Sequence, residues 1–123
     1  MRALILDDSR AMRMILRRIM RSAGFDVVEG ADGQQGLAAL ASGPLPDIAL
    51  VDWNMPGMDG LSFVHAVRDN PGWRSVTLMM VTTESEHDQV VRALAAGAHE
   101  YIIKPFTADA ILDKLDLLGL RPE

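Results

Sequence analysis

Ile48-Ala49-Leu50-Val51-Asp52 is the stretch that decides the fold. Four apolar residues closed by one carboxylate fit a strand buried on both faces, and such strands are usually parallel. The pattern recurs three times. Ala3-Leu4-Ile5-Leu6 ends in Asp7 and Asp8, Leu78-Met79-Met80-Val81 ends in Thr82 and Thr83, and Tyr101-Ile102-Ile103 ends in Lys104-Pro105. A fifth run, 25–29, reads as another strand.

Amphipathic segments separate these runs. Met12, Ile15, Leu16, Ile19, Met20 and Ala23 follow the spacing of one buried helix face. Asp8 or Ser9 can cap that helix, and Gly24 can end it in a left-handed turn. Asp32-Gly33 opens a second helix through Leu37 and Leu40, stopped by Gly43-Pro44. Asp59 can cap a third carrying Leu61, Val64 and Val67, ended by Asn70-Pro71-Gly72. A fourth carries Val90, Val91, Leu94 and Ala95 and ends at Gly97. The last starts near Thr107 with Ile111, Leu112, Leu115 and Leu118 on its buried side. Alternating strands and helices predict an α/β fold of about five units, a parallel sheet with helices on both faces and right-handed crossovers. No repeat or linker interrupts residues 1–123, so one domain is expected.

In open parallel sheets, ligands bind beyond the carboxyl ends of the strands. Here those ends carry Asp7, Asp8, Asp52, Thr82 and Lys104. A helix N-cap or first-turn role could suffice for one of Asp7 and Asp8, but that reading does not account for the whole set. Carboxylates gathered without a cation repel one another. A hard divalent ion with oxygen ligands, Mg²⁺ first, relieves them. Asp52, ending the expected central strand, is the candidate nucleophile toward a phosphoryl group. The adjacent pair Asp7-Asp8 suits the cation, while Thr82 and Lys104 suit phosphoryl oxygens.

The chain has 123 residues, 49% of them hydrophobic and 24% charged, with a net charge of −5 and no cysteine. That charge argues against sequence-independent binding of nucleic acid. Disulfide, thiolate and zinc-finger chemistry are excluded. No apolar stretch approaches a membrane span and no signal peptide opens the chain, so a cytoplasmic protein is expected.

Four motifs in order carry a resemblance: Asp7-Asp8-Ser9, the stretch from Asp52 to Leu61, Val81-Thr82-Thr83-Glu84, and Tyr101 through Phe106. Together they resemble the receiver domain of bacterial two-component response regulators, most of all chemotaxis regulators of the CheY type. The resemblance covers essentially the whole chain. It implies a flavodoxin-like sheet of order 2-1-3-4-5 and a stand-alone receiver without an output domain, a signalling protein rather than an enzyme. It also implies phosphorylation of Asp52 by a histidine kinase or phosphotransfer domain. Mg²⁺ would be held by Asp8, Asp52 and the Asn54 main-chain carbonyl, with Asp7 acting mainly through a bound water. Thr82 and Lys104 would grip the phosphoryl group, and a cis Lys104-Pro105 bond would aim Lys104. Thr82 and Tyr101 would form the switch. The fourth helix, fifth strand and fifth helix would then bind a partner such as the flagellar motor switch protein. Asn54, Thr83 and Glu84 occupy positions that tune the lifetime of the phosphoryl group; Thr83 stands where many receivers have Ala or Gly.

Other readings compete. A stand-alone receiver can also serve as a phosphorelay intermediate or phosphate sink. A haloacid dehalogenase-type phosphatase wants a second Asp two residues after the nucleophile, where this chain has Asn54. A flavodoxin-like FMN carrier needs a phosphate-binding first loop, where Asp7 and Asp8 would repel the phosphate. Arg10, Arg13, Arg17, Arg18 and Arg21 read as the exposed sides of the first helix, either solvated or docking an acidic kinase. Met12, Met20, Met79 and Met80 read as core. His65, His87 and His99 lack a shared metal-ligand spacing, and His87 falls near the rim of the site.

Overall fold

The computed structural model describes residues 1–83 and 87–122, the side chain of His87 excepted. Five strands, β1 (Arg2–Leu6), β2 (Asp26–Gly30), β3 (Ile48–Asp52), β4 (Thr77–Thr82) and β5 (Glu100–Ile103), alternate with five helices. These are α1 (Arg10–Ser22), α2 (Gly33–Ser42), α3 (Gly60–Asp69), α4 (His87–Ala96) and α5 (Ala108–Leu117). The strands form one parallel sheet in the order β2-β1-β3-β4-β5, as expected.

Strand side chains alternate between two cores, as the pleat requires. Leu4, Leu6, Ala49, Val51, Leu78 and Met80 face a core completed by Leu40 of α2, Phe63, Val64 and Val67 of α3, and Ala93 of α4. Ala3, Ile5, Ile48, Leu50, Met79 and Val81 face the other, with Leu16, Ile19 and Met20 of α1 and Ile111 and Leu115 of α5. Both faces of β1, β3 and β4 are therefore covered, which explains their unbroken apolar runs. The edge strands differ. Val27 and Val28 of β2, and Tyr101 and Ile103 of β5, are only half-buried.

Several expectations need correction. Ile15 fits the helical stripe by spacing yet is 46% exposed, while Leu16, Ile19 and Met20 are buried and Met12 and Ala23 pack partly against the same core. On α4, Val91 and Leu94 are exposed and Ala93 is the buried residue. Ala93 joins the core shared with Phe63, Val64 and Val67 of α3, while the larger Val91 and Leu94 face outward. Leu61 is half-buried, and the fully buried Phe63 takes the central place on α3. Arg13 and Arg17 are half-buried rather than fully solvated. Ser9 caps α1, its hydroxyl accepting from the Met12 N–H, which leaves Asp8 to the sheet edge. Gly24 and Gly97 end α1 and α4 at φ of 101° and 118°, in the left-handed region.

A clasp at the far end of the sheet had no sequence signal. Arg68 Nε donates to the Gly97 carbonyl (3.0 Å), and its Nη2 donates to the Val76 carbonyl (2.8 Å). The same nitrogen lies 3.2 Å from His99 Nδ1, which accepts the Leu78 N–H. Burial and the guanidinium hold His99 below its ordinary pKa. A depressed histidine favours the neutral form in the fold, so its contribution is present above the unfolded value and lost as pH falls through the folded one. Arg68→Gln is expected to destabilise the fold by about 2 kcal/mol, the scale of two charge-assisted hydrogen bonds at a half-exposed site. Urea unfolding at pH 7.5 measures it; a cost near zero rejects the clasp.

Candidate functional site

Strand register builds the site. Leu6 pairs with Val51, so the next residues, Asp7 and Asp52, leave adjacent strands at the same level. Asp52 pairs with Val81, and Thr82 with Ile103, which places Thr82 and Lys104 on the neighbouring ends. The Lys104 N–H donates to the Thr82 carbonyl (2.6 Å), tying β5 to β4 at this edge. The Lys104-Pro105 bond is cis.

Carboxylate oxygens of Asp7, Asp8 and Asp52 all lie within 4.8 Å of one another, with Asp7 and Asp52 buried and Asp8 exposed. Lys104 Nζ lies 3.0 Å from Asp7 and 3.5 Å from Asp52. Both Asp7 oxygens are engaged, Oδ1 by the Ser9 N–H (2.8 Å) and Oδ2 by Lys104. One ammonium against three carboxylates leaves the cluster net negative. Asp52 registers the imbalance, its pKa raised to about 6. Burial is the largest cause and the Asp7 charge the next, with Lys104 and the Asn54 N–H opposing them. Three oxygen donors with one side open to solvent fit a hard divalent cation such as Mg²⁺.

Local structure supports the Asp52 end. Trp53 is buried, and its N–H donates to the Val81 carbonyl while its carbonyl accepts the Gly60 N–H. A Cβ on Gly60 would lie 2.5 Å from the Asp52 carbonyl oxygen, so the third helix starts against the strand only with glycine there. Asp59 caps that helix, as its sequence position suggests. Thr82 is buried and Tyr101 half-buried at the site's flank, with Lys114 Nζ 4.9 Å over the ring. Asn54 and Thr83 are exposed beside the cluster, and Glu84 lies outside the described residues. Sequence reasoning missed the Ser9 N–H on Asp7 and the Gly60 approach. The first was readable as an Asp whose side chain bonds a backbone N–H two residues on; the second had no separate signal.

The response regulator receiver domain model matches residues 3–116. The chain belongs to the response regulator receiver family. It is 39% identical over 122 residues to the chemotaxis protein CheY of Pseudomonas aeruginosa, covering 98% of both chains. It is 35% identical over 119 residues to CheY1 of Helicobacter pylori, covering 96% of each. Among solved structures, CheY4 of Vibrio cholerae superposes with a TM-score of 0.88 at 32% identity, over 94% of this chain and 96% of that one. The chain is thus a CheY-like receiver with a flavodoxin-like sheet, and such regulators are signalling proteins. Among the described residues no helix is long and apolar enough to cross a membrane.

Proposed function

We propose that this chain is a cytoplasmic chemotaxis response regulator, phosphorylated on Asp52 by a histidine kinase or phosphotransfer domain with Mg²⁺. The observation that carries the reading is the cluster of Asp7, Asp8 and Asp52 around Lys104 at the carboxyl edge of the sheet.

Asp8, Asp52 and the Asn54 carbonyl would hold the ion, which when bound neutralises charge on the transferring oxygens. Asp7, with both oxygens already engaged by protein donors, suits a role through a bound water. Asp52 supplies the attacking carboxylate oxygen. A pKa of about 6 leaves it mostly ionised at neutral pH and more basic than an ordinary aspartate. Lys104 places a positive charge beside the accepting oxygen, and the Thr82 hydroxyl donates to the phosphoryl group. Asn54, Thr83 and Glu84 set its lifetime.

Drawing Thr82 toward the phosphoryl group opens space for Tyr101 and biases a two-state surface formed by α4, β5 and α5. That surface carries exposed Val91 and Leu94 on α4 and Leu117 on α5, suited to a partner such as the flagellar motor switch protein. The arginines of α1 suit an acidic kinase domain. Asn54 in place of a second aspartate disfavours a phosphatase of the haloacid dehalogenase type.

Acetyl phosphate with Mg²⁺ should add one phosphoryl group, seen by intact mass, and change the tryptophan fluorescence, to which Trp53 contributes from beside the site. Chelation of the ion should prevent both. Labelling that proceeds undiminished in chelator would refute the reading. Phosphorylation-dependent capture of a motor switch protein, against onward transfer to a histidine phosphotransfer domain, separates motor output from a relay or sink.

A further inference from the structure

Outside the aspartate cluster, the described residues carry one cleft with a strongly biased charge. It lies between α1 and the connection from β2 to α2, with a volume of about 350 Å³, the lower end of the range for small-ligand sites. Arg10, Arg13 and Arg17 line it from one face of α1, where positions three and four apart are neighbours. Glu29 is the sole carboxylate in its wall.

The arginines are unequally held. Arg13 Nη1 donates to the Asp7 carbonyl (2.6 Å) and its Nε lies 3.7 Å from Glu29, so its guanidinium is fixed at the base of the cleft. Arg17 meets Glu29 at 2.9 Å in a partly exposed pair, a kind that contributes little and is readily exchanged. Among the described residues the Arg10 guanidinium has no hydrogen-bond or ion-pair partner, nor has the Gln35 amide NH₂, while the Gln35 Oε1 accepts the Ala31 N–H. Anchoring Glu29 needs one arginine. Three within one concavity repel each other and leave an excess of two positive charges. Guanidinium forks match phosphate oxygens in geometry, and several of them match several phosphates.

We propose that this cleft binds a small polyphosphate anion, inorganic or borne on a nucleoside. Arg10 and Arg17 grip it, Arg13 forms the base, and Glu29 is displaced from Arg17 on binding. Asp52 takes no part, so the site stands or falls apart from the phosphorylation reading.

The test is calorimetric titration of the full chain at low ionic strength, with no divalent ion, using sodium tripolyphosphate and ATP in separate arms. Saturable binding at one equivalent is expected. Arg10→Gln and Arg17→Gln should each weaken it about tenfold, the scale of a charge-assisted pair. Glu29→Gln should tighten it about threefold or more by releasing Arg17. Asp52→Asn and the remote Arg121→Gln should leave it unchanged. Equal affinity for both probes assigns the inorganic chain, and tighter ATP binding assigns a nucleoside polyphosphate. Weaker binding by Glu29→Gln, equal loss in Arg121→Gln, or tetraglutamate binding as tightly as tripolyphosphate would overturn the proposal, the last in favour of an acidic protein. Should one arginine variant fail to fold, Glu29→Gln and the other variant still decide.

Discussion

Asp52→Asn is expected to abolish the response to acetyl phosphate and, in metal-free protein, to raise thermal stability. The two effects share one cause. Asp52 is buried, with Asp7 beside it, and its pKa in the fold is about 6 against an ordinary 3.8. A carboxyl whose folded pKa is raised holds its proton more tightly in the fold. Its stabilising contribution is full below about pH 4 and is lost as pH rises through 6. At pH 7.5 the charged Asp52 therefore costs the fold up to about 2 kcal/mol after solvent screening is allowed for. Asparagine keeps the shape and removes the charge. The variant should melt several degrees higher than the parent at pH 7.5 and nearly level with it at pH 4.5. Mg²⁺ should raise the parent more than the variant and narrow the gap. Calorimetric melting at the two pH values, with and without the ion, tests this. A variant less stable at pH 7.5 would mean that the Lys104 contact outweighs burial and Asp7. A persisting fluorescence response would reject Asp52 as acceptor.

Most of this site is legible before any coordinates, because β-register converts one-dimensional spacing into adjacency. Runs of similar length ending in Asp7, Asp52, Thr82 and Lys104 must end together once the strands are parallel. Two buried cores follow equally directly from unbroken apolar strands. Which apolar side chain a helix buries does not follow from spacing alone. Met14, Ile15, Val91 and Leu94 are as hydrophobic as their buried neighbours and still face outward. Their fate depends on where the helix axis sits over its neighbours, which periodicity within one helix does not encode. The Arg68 clasp is beyond sequence reading for a related reason. Its partners lie at Val76, Gly97 and His99, joined to it only by the packing of α3 against α4 and β4.

Lys104→Met should have the second large effect, and its pH dependence separates charge from packing. The ammonium bridges two buried carboxylates at 3.0 and 3.5 Å and is itself mostly shielded from solvent. Removing one partner of a buried ionic group leaves uncompensated charge and costs about 3 kcal/mol or more, while methionine retains much of the aliphatic stem. With its lowering influence gone, the Asp52 pKa must climb above 6. The deficit should therefore be greatest at pH 7.5 and shrink by pH 5, where a protonated Asp52 no longer repels Asp7. Mg²⁺ should bind the variant more tightly than the parent, since the cluster is one charge more negative. Phosphorylation by acetyl phosphate should nonetheless slow by about a hundredfold, because the ion cannot replace a fixed positive charge aimed at the accepting oxygens. Urea titrations at both pH values, an ion titration followed by tryptophan fluorescence, and the labelling rate give three independent readings. A deficit of equal size at pH 5 and pH 7.5 would place the role of Lys104 in the packing of its stem.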